Sequence, residues 1–360
     1  MRVALAGTFA GHGGIQTHLR ALAGVLTASG HELLLLSFGR SAASEDSSEN
    51  KNLRAQPGVQ LESVGNATAP AVFRTVTRAL NSFNPDLYFA CGTGWNLFAG
   101  AIASRVPQRI FHEVMSGESY GWRDSRNLVR RFFHTVVAQA NPVARNFARS
   151  FGWTKPIEVI PAFSQSLENH SIVGKNKVPY GTARAAVFGR LVPHKRTAWL
   201  VEQWPRLKEF VRELHIHGAG PEEAIICDLI AKNDWQEAVH FHGEYPHGKA
   251  YAELMGGYDL TLLPTIGAEG APLVLLESMA CGVPFVATDA GGVRDYDNPD
   301  CIVADATDTD AFINGVERMT TRLAQGEVDQ QRLQGFYRTH FSHEALASRW
   351  TAFFDAMLTS

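Results

Sequence analysis

Short apolar runs alternate with stretches of amphipathic helical spacing from one end of this chain to the other, and no other feature restricts the fold as much. Alternation of this kind predicts a parallel α/β architecture rather than an α+β or all-β one. The first unit shows the pattern. Residues 3–6 form an apolar run, residues 7–14 a glycine-rich loop, and Ile15, Leu19, Leu22 and Leu26 recur at helical spacing before a second run at 33–38. Further strands are predicted at 59–64, 87–91, 109–114, 135–138 and 157–160, and a second series at 184–188, 214–217, 239–242, 260–263, 284–287 and 301–303. The polar, serine-rich residues 39–58 read as an exposed loop, and Asn141-Pro142 as a helix start.

Between residues 163 and 181 the periodicity fails and Ser, Asn, Lys, Pro and Gly accumulate. With 360 residues, the chain is expected to form two domains, 1–165 and 181–340, joined by a linker at 166–180 and separated by a cleft. In the tail, Leu346, Trp350, Phe353, Phe354 and Met357 form one helical stripe, so residues 341–360 should pack back as a helix.

Charge and cysteine content narrow the function. Lys and Arg number 33 against 36 Asp and Glu, which leaves no broad cationic field and argues against nucleic-acid partners. The four cysteines include no CxxC pair and sit in or beside apolar runs, as buried thiols of a reducing compartment do. The N-terminus reaches Gly7 too soon for a secretory signal, and no apolar stretch approaches about 18 residues, so a cytoplasmic or membrane-surface location is expected. The Asn-x-Ser/Thr triplets at 66–68 and 169–171 read as chance.

Residues 269–288 carry the densest chemistry. Pro272 suits a first helical position, which leaves the amides of Leu273 and Val274 unpaired at a positive helix end where a phosphate is favoured. Glu277 follows Leu273 by one turn, about 6 Å along the axis, within reach of ribose hydroxyls. Glutamate on a helix is most often solvated. Here Val274, Leu275, Leu276, Met279, Ala280 and Cys281 cover nearly the whole circumference, so the helix reads as buried and its carboxylate needs a partner.

A second motif, Gly189-Arg190-Leu191-Val192-Pro193-His194-Lys195-Arg196, follows the strand at 184–188. Cations at the carboxyl end of a strand are placed to neutralise a leaving diphosphate, although basic loops are also common as plain surface.

Together these segments resemble the family-4 retaining glycosyltransferases of the GT-B fold, over nearly the full length. The family's Glu, seven residues, Glu falls on Glu269 and Glu277, and its Gly-Arg-Leu followed by Lys falls on Gly189, Arg190, Leu191 and Lys195. The resemblance implies two Rossmann-like domains facing across a cleft, with a C-terminal helix crossing back to the first. It implies that Glu269 approaches the donor sugar, that Glu277 holds the ribose, and that Arg190 and Lys195 hold the diphosphate. Gly270, Ala271, Pro272 and Leu273 would then form a phosphate cradle. Gly11-His12-Gly13-Gly14-Ile15-Gln16 is similar to the family's first glycine-rich loop, with Gly13 and Gly14 beside the donor and His12 and Gln16 on the acceptor side; Gln16 stands where the family often has Glu.

His112 matches the family's catalytic His, with Glu113 replacing the usual Asp; Glu113 and Glu118 are further acceptor-side residues. The loops at Gly218 and at Gly243 to Tyr245 would shape the base pocket. His215 and His217, like His240 and His242, share a strand face, which suggests metal ligands, but the resemblance favours a structural reading and implies no metal or other cofactor. Asp308-Thr309-Asp310 reads as a helix cap rather than a metal motif. Residues 122–136 mix Trp122, Leu128, Val129, Phe132 and Phe133 with Arg123, Arg126, Arg130 and Arg131: either a basic amphipathic helix for anionic lipid, or a helix packed on the sheet with its arginines outward.

The implied reaction moves a sugar, with retention, from a UDP- or GDP-linked donor to a hydroxyl of a glycan or lipid-linked acceptor, by default one of bacterial polysaccharide or lipopolysaccharide synthesis. The alternatives are a sugar-nucleotide epimerase of the same fold and a non-catalytic partner subunit. Pro161-Ala162-Phe163 departs from the family's Pro-Asn-Gly hinge, and neither base, sugar nor acceptor can be read from these residues.

Overall fold

The structure, a computed structural model, describes residues 1–11, 13–39, 48–64, 69–103, 105–167, 177–267 and 269–359. His12, both Asn-x-Ser/Thr triplets and much of the expected linker lie outside the described residues. The chain divides into two compact units, Met1–Ser164 with His343–Ser360, and Gln165–Ser342.

The first unit is built on a parallel sheet of β1 (Arg2–Gly7), β2 (Glu32–Phe38), β3 (Val59–Val64), β4 (Leu87–Cys91), β5 (Gln108–Glu113), β6 (Thr135–Ala138) and β7 (Ile157–Val159), in the order β3-β2-β1-β4-β5-β6-β7. Its central strands are apolar on both sides because both faces are covered. One face meets Leu19, Leu22 and Leu26 of the helix Gly14–Ala28 together with Leu346, Trp350 and Phe354; the other meets Val72, Val76, Leu80, Phe98 and Phe147. The tail is therefore a helix of this unit, His343–Thr359, with the indole of Trp350 donating to the Pro161 carbonyl at 3.2 Å.

The second unit repeats the plan with β8 (Ala183–Phe188), β9 (Val211–His217), β10 (Val239–Gly243), β11 (Leu260–Leu263), β12 (Phe285–Thr288) and β13 (Ile302–Ala304), in the order β10-β9-β8-β11-β12-β13. Strand order reverses between β8 and β11. In open parallel sheets a reversal opens a crevice at the carboxyl ends of the two strands, which is where such folds bind ligands. The basic motif follows β8, and residues 264–267 and 269–272 follow β11, so both lie at that crevice. Both units are Rossmann-like, and among the described residues no helix is long and apolar enough to cross a membrane.

Four local expectations need correction. The segment 39–58 contains a helix, Ser48–Arg54. The helix beginning at Asn141 has Ala140 at its cap position, so Asn141 is its first residue and not its cap. Pro272 likewise precedes the helix Leu273–Ala280 as its cap residue rather than opening it. Residues 122–136 do not form one amphipathic helix: a 3-10 turn (Ser125–Leu128) leads to a single α-turn (Val129–Phe132) and then β6. Arg126 faces inward, not outward. Its guanidinium is 0 % exposed and bonds to Glu113 Oε2 at 2.9 Å, Asp124 Oδ2 at 2.7 Å and the Glu118 carbonyl at 2.6 Å, under the ring of Tyr120. Sequence periodicity could not show this, because the ion pairs interrupt the helix they would otherwise decorate.

Removing one partner of a buried ion network leaves the other charges uncompensated, which typically costs about 3–5 kcal/mol. Arg126→Met should therefore destabilise the chain by about that much in a urea titration followed by tryptophan fluorescence. Adding Glu113→Gln to that variant should recover part of the loss, since one stranded carboxylate is then removed.

Candidate active site

The loops at the crevice of the second unit hold one another through backbone contacts. The amide of Gly189 donates to the His217 carbonyl at 3.0 Å, that of Leu191 to Ala219 at 2.9 Å, and that of Gly218 to Gly243 at 2.7 Å. Gly218, at a φ of +147°, is required here: a Cβ would lie 1.8 Å from the Gly189 carbonyl oxygen. Gly291 plays the same part on the other side, where a Cβ would lie 1.9 Å from the Glu269 carbonyl oxygen. The Gly292 amide donates to Gly270 at 2.5 Å, so the 269–272 segment is clamped from behind.

Within this frame Lys195 and Glu269 form a direct ion pair, both largely buried. Thr265 joins them. Its hydroxyl lies 3.1 Å from the His194 carbonyl and 3.2 Å from Glu269 Oε2, and the Ile266 amide donates to the same carbonyl at 2.8 Å. The loop after β8 is thereby tied to the loop after β11. Burial and the neighbouring Lys195 and Arg190 cations hold His194 below its usual value. Arg190 itself is exposed. Two cations against one carboxylate, beside a helix start carrying roughly half a positive charge, leave an excess that suits a diphosphate.

The helix Leu273–Ala280 has no acidic residue in its first turn. The Leu275 amide is bonded to the Pro272 carbonyl at 3.1 Å, so the amides of Leu273 and Val274 are the ones directed beyond the helix end. Ser278, fully buried, fixes the helix by bonding to Thr261 Oγ1 at 2.8 Å and to the Val283 carbonyl at 2.7 Å.

Glu277 is buried on this helix. The Tyr251 hydroxyl donates to Oε2 at 3.0 Å and the Gln165 amide approaches Oε1 at 3.5 Å, so the carboxyl has the partners its position demands. Tyr251 stacks on Tyr245 at 5.0 Å, and Phe188 packs edge-on against both. Tyr245 therefore does sit near Glu277, beside the loop that starts at Gly243.

The first unit places its residues differently. Gly13 and Gly14 are exposed at the start of the helix Gly14–Ala28, with Gln16 half-buried on its first turn, and Arg20 braces the loop by donating to the Phe9 and Gly11 carbonyls at 3.0 Å each. Glu118 is exposed. His112 is not open to a sugar: its ring is fully buried among His18, Phe89 and Trp350, with centroids at 4.9, 5.5 and 5.3 Å. Burial and the neighbouring His18 hold its pKa well below the usual value. Glu113 is equally enclosed, with Oε1 accepting from the Met115 amide at 2.7 Å and Oε2 from Arg126, so it has no oxygen directed outward for an acceptor.

Thr265, Tyr251 and Gln165 join the site without having been singled out in the sequence. Thr265 carried a usable signal, since it follows β11 by two residues, at the sheet edge where ligands bind. Tyr251 and Gln165 carried none, because only packing brings them to Glu277.

Two parallel-sheet Rossmann-like units, the second with acidic and basic loops gathered at its switch point, are the architecture of the GT-B fold. Residues 183–322 match the model described as glycosyl transferases group 1, and residues 12–163 that of glycosyltransferase family 4. The chain belongs to the family-4, group-1 glycosyltransferases. It is 26 % identical over 325 residues to the GDP-mannose-dependent alpha-(1-6)-phosphatidylinositol monomannoside mannosyltransferase of Mycolicibacterium smegmatis, covering 84 % of this chain and 85 % of that one. It is 26 % identical over 301 residues to a GDP-mannose-dependent alpha-mannosyltransferase of Mycobacterium tuberculosis, covering 76 % and 75 %. Among solved structures, Anabaena Alr3699/HepE in complex with UDP superposes with a TM-score of 0.79 at 19 % identity, over 99 % of this chain and 100 % of that one.

Burial pushes the Glu277 carboxyl up to about 7, against the pull of Tyr251 and Gln165. A carboxyl whose folded pKa is raised binds its proton more tightly in the folded chain, so it makes stability fall as pH rises from 4.5 to about 7 and then level off. Glu277→Gln removes this linkage. It should be more stable than the wild type at pH 8 by on the order of 3 kcal/mol, and approach it near pH 5, in parallel urea titrations.

Proposed function

We propose that this glycosyltransferase takes a nucleoside diphosphate sugar in its second unit and transfers the sugar, with retention, to a hydroxyl of a glycan or lipid-linked acceptor. The observation that carries the reading is the gathering of Arg190, the Lys195–Glu269 pair and the start of the Leu273–Ala280 helix at one switch point, with Glu277 buried one turn along. A diphosphate fits the cations and the free amides of Leu273 and Val274. Glu277 takes the ribose hydroxyls, for which it exchanges its contact with Gln165, and Glu269 reaches the sugar from beside Lys195. UDP and GDP sugars are the donors favoured by the relatives, which are GDP-mannose-dependent, and by the UDP complex of the Anabaena protein.

Chemically, the bond between the anomeric carbon and the diphosphate oxygen breaks while the acceptor oxygen approaches from the same face. The departing phosphate oxygen accepts the acceptor proton, so no protein nucleophile and no metal is needed. Catalysis comes from charge placed in advance where the diphosphate gains it, which is worth more in a partly enclosed site than in water. His112 lies fully buried with neither ring nitrogen hydrogen-bonded among the described residues, and acceptor contact falls to the more open Gln16 and Glu118. The acceptor is a bacterial surface glycan or its lipid-linked precursor, modified on the cytoplasmic side of the membrane. The phosphatidylinositol mannoside named for the mycobacterial relative supports that class.

Arg190→Ala and Glu277→Ala should each lower kcat/KM by about 100-fold or more with the circular dichroism spectrum unchanged. Turnover within a few-fold of wild type in either would overturn the assignment. A thermal-shift panel of uridine, guanosine, thymidine and adenosine diphosphate sugars identifies the base, and the anomeric configuration of the product, read by NMR, tests retention.

A further inference from the structure

A second polar cluster occupies one face of the second sheet, at the edge away from β11. Residues 213, 215 and 217 share a face of β9, residues 240 and 242 the same face of the edge strand β10, and the register sets His240 opposite His215. Ligand atoms of Glu213, His215 and His240 all lie within 4.8 Å of one another. His215 is oriented from both sides: Nδ1 lies 2.9 Å from His242 Nε2 and Nε2 lies 3.0 Å from Glu213 Oε2. The rings of His215 and His242 are stacked within 5°, and His217 closes the row by bonding to the Tyr258 hydroxyl at 2.7 Å. Among the described residues no side-chain hydrogen bond engages His240, whose ring centroid is 4.7 Å from that of His215.

We propose that Glu213, His215 and His240 bind a divalent first-row transition ion of the zinc class, separate from the donor site. Two imidazoles and a carboxylate are the donor set such ions favour, with a fourth position left for water. Zinc holds these ligands at about 2.0–2.2 Å, so the side chains must draw together by roughly an ångström, which the half-buried edge position of His240 permits. His242 holds the His215 ring in place, as outer-shell partners of metal-bound histidines do.

The opposing charges are weak competitors. Arg184 lies 2.9 Å from Glu213 Oε2 and Arg212 3.0 Å from Oε1, but their side chains are 36 % and 55 % exposed, and exposed pairs of that kind yield readily. The bound ion clips β10 to β9, and thereby steadies the strand from which the Gly243 to Tyr245 loop departs.

The test uses tag-free, chelator-treated full-length protein, titrated calorimetrically with zinc chloride at pH 7.5. The wild type should take up about one ion per chain, with affinity weakened at least about tenfold in His240→Gln and in Glu213→Gln, and kept in Cys227→Ser, which removes the exposed thiol. Cobalt substituted into the wild type should give a ligand-field spectrum of nitrogen and oxygen ligands, a readout that does not depend on any variant folding. Absence of zinc uptake by the wild type, unchanged uptake in the Glu213→Gln and His240→Gln double variant, or a thiolate charge-transfer band with cobalt would each overturn the proposal.

Discussion

The crevice of the second unit depends on backbone packed directly against backbone. Where Gly218 meets Gly189 and Gly291 meets Glu269, a single added methyl group would fall inside the van der Waals radius of a carbonyl oxygen. These close approaches set the loop after β9 on the loop after β8 and the loop after β12 on the loop after β11; the loops after β8 and β11 are then joined by the Lys195–Glu269 pair and by Thr265 and Ile266 on the His194 carbonyl. A glycine at either point is thus required by the close approach of the neighbouring loop and is not a neutral spacer.

The charged groups are organised by that frame in two ways. Arg190 stands exposed after β8, its charge available to a ligand, while Lys195 and Glu269 are largely buried as a pair. Glu277 stands on a buried helix, and the protein supplies Tyr251 and Gln165 to hold it there. Its raised pKa follows from burial outweighing those hydrogen bonds, and a ribose that replaced Gln165 would add donors and favour the ionised form. The first unit stores its charge elsewhere. Arg126 bridges Glu113 at the end of β5 and Asp124 in the loop that follows, all buried, while Trp122 of that loop is 82 % exposed.

Much of this was legible along the chain. The alternating apolar runs locate nearly every strand to within a residue or two, because a strand covered on both faces is built mostly of apolar side chains. Helix starts were read one residue out at Asn141 and at Pro272, since a cap and a first helical position favour overlapping sets of residues. Residues 122–136 were misread for a deeper reason. Periodicity treats an arginine as an outward-facing charge, whereas Arg126 has two carboxylates waiting inside, one of them from β5. His112 was placed correctly at the end of β5, but the rings that enclose it come from Phe89 on β4, His18 on a helix and Trp350 near the far end of the chain.

The sequence by itself determined the α/β class, the two series of strands, and the local chemistry of residues 189–196 and 269–284. Those features depend on neighbours a few positions apart, which helical and strand periods relate directly. Only the tertiary structure decided which residues meet across the sheet. The strand order β9-β8-β11 made one site of two motifs separated by some 70 residues, as the 74-residue gap between Lys195 and Glu269 shows. The pairing of β9 with β10 likewise brought Glu213, His215 and His240 together, because register between strands is set by turns and packing that no single segment contains.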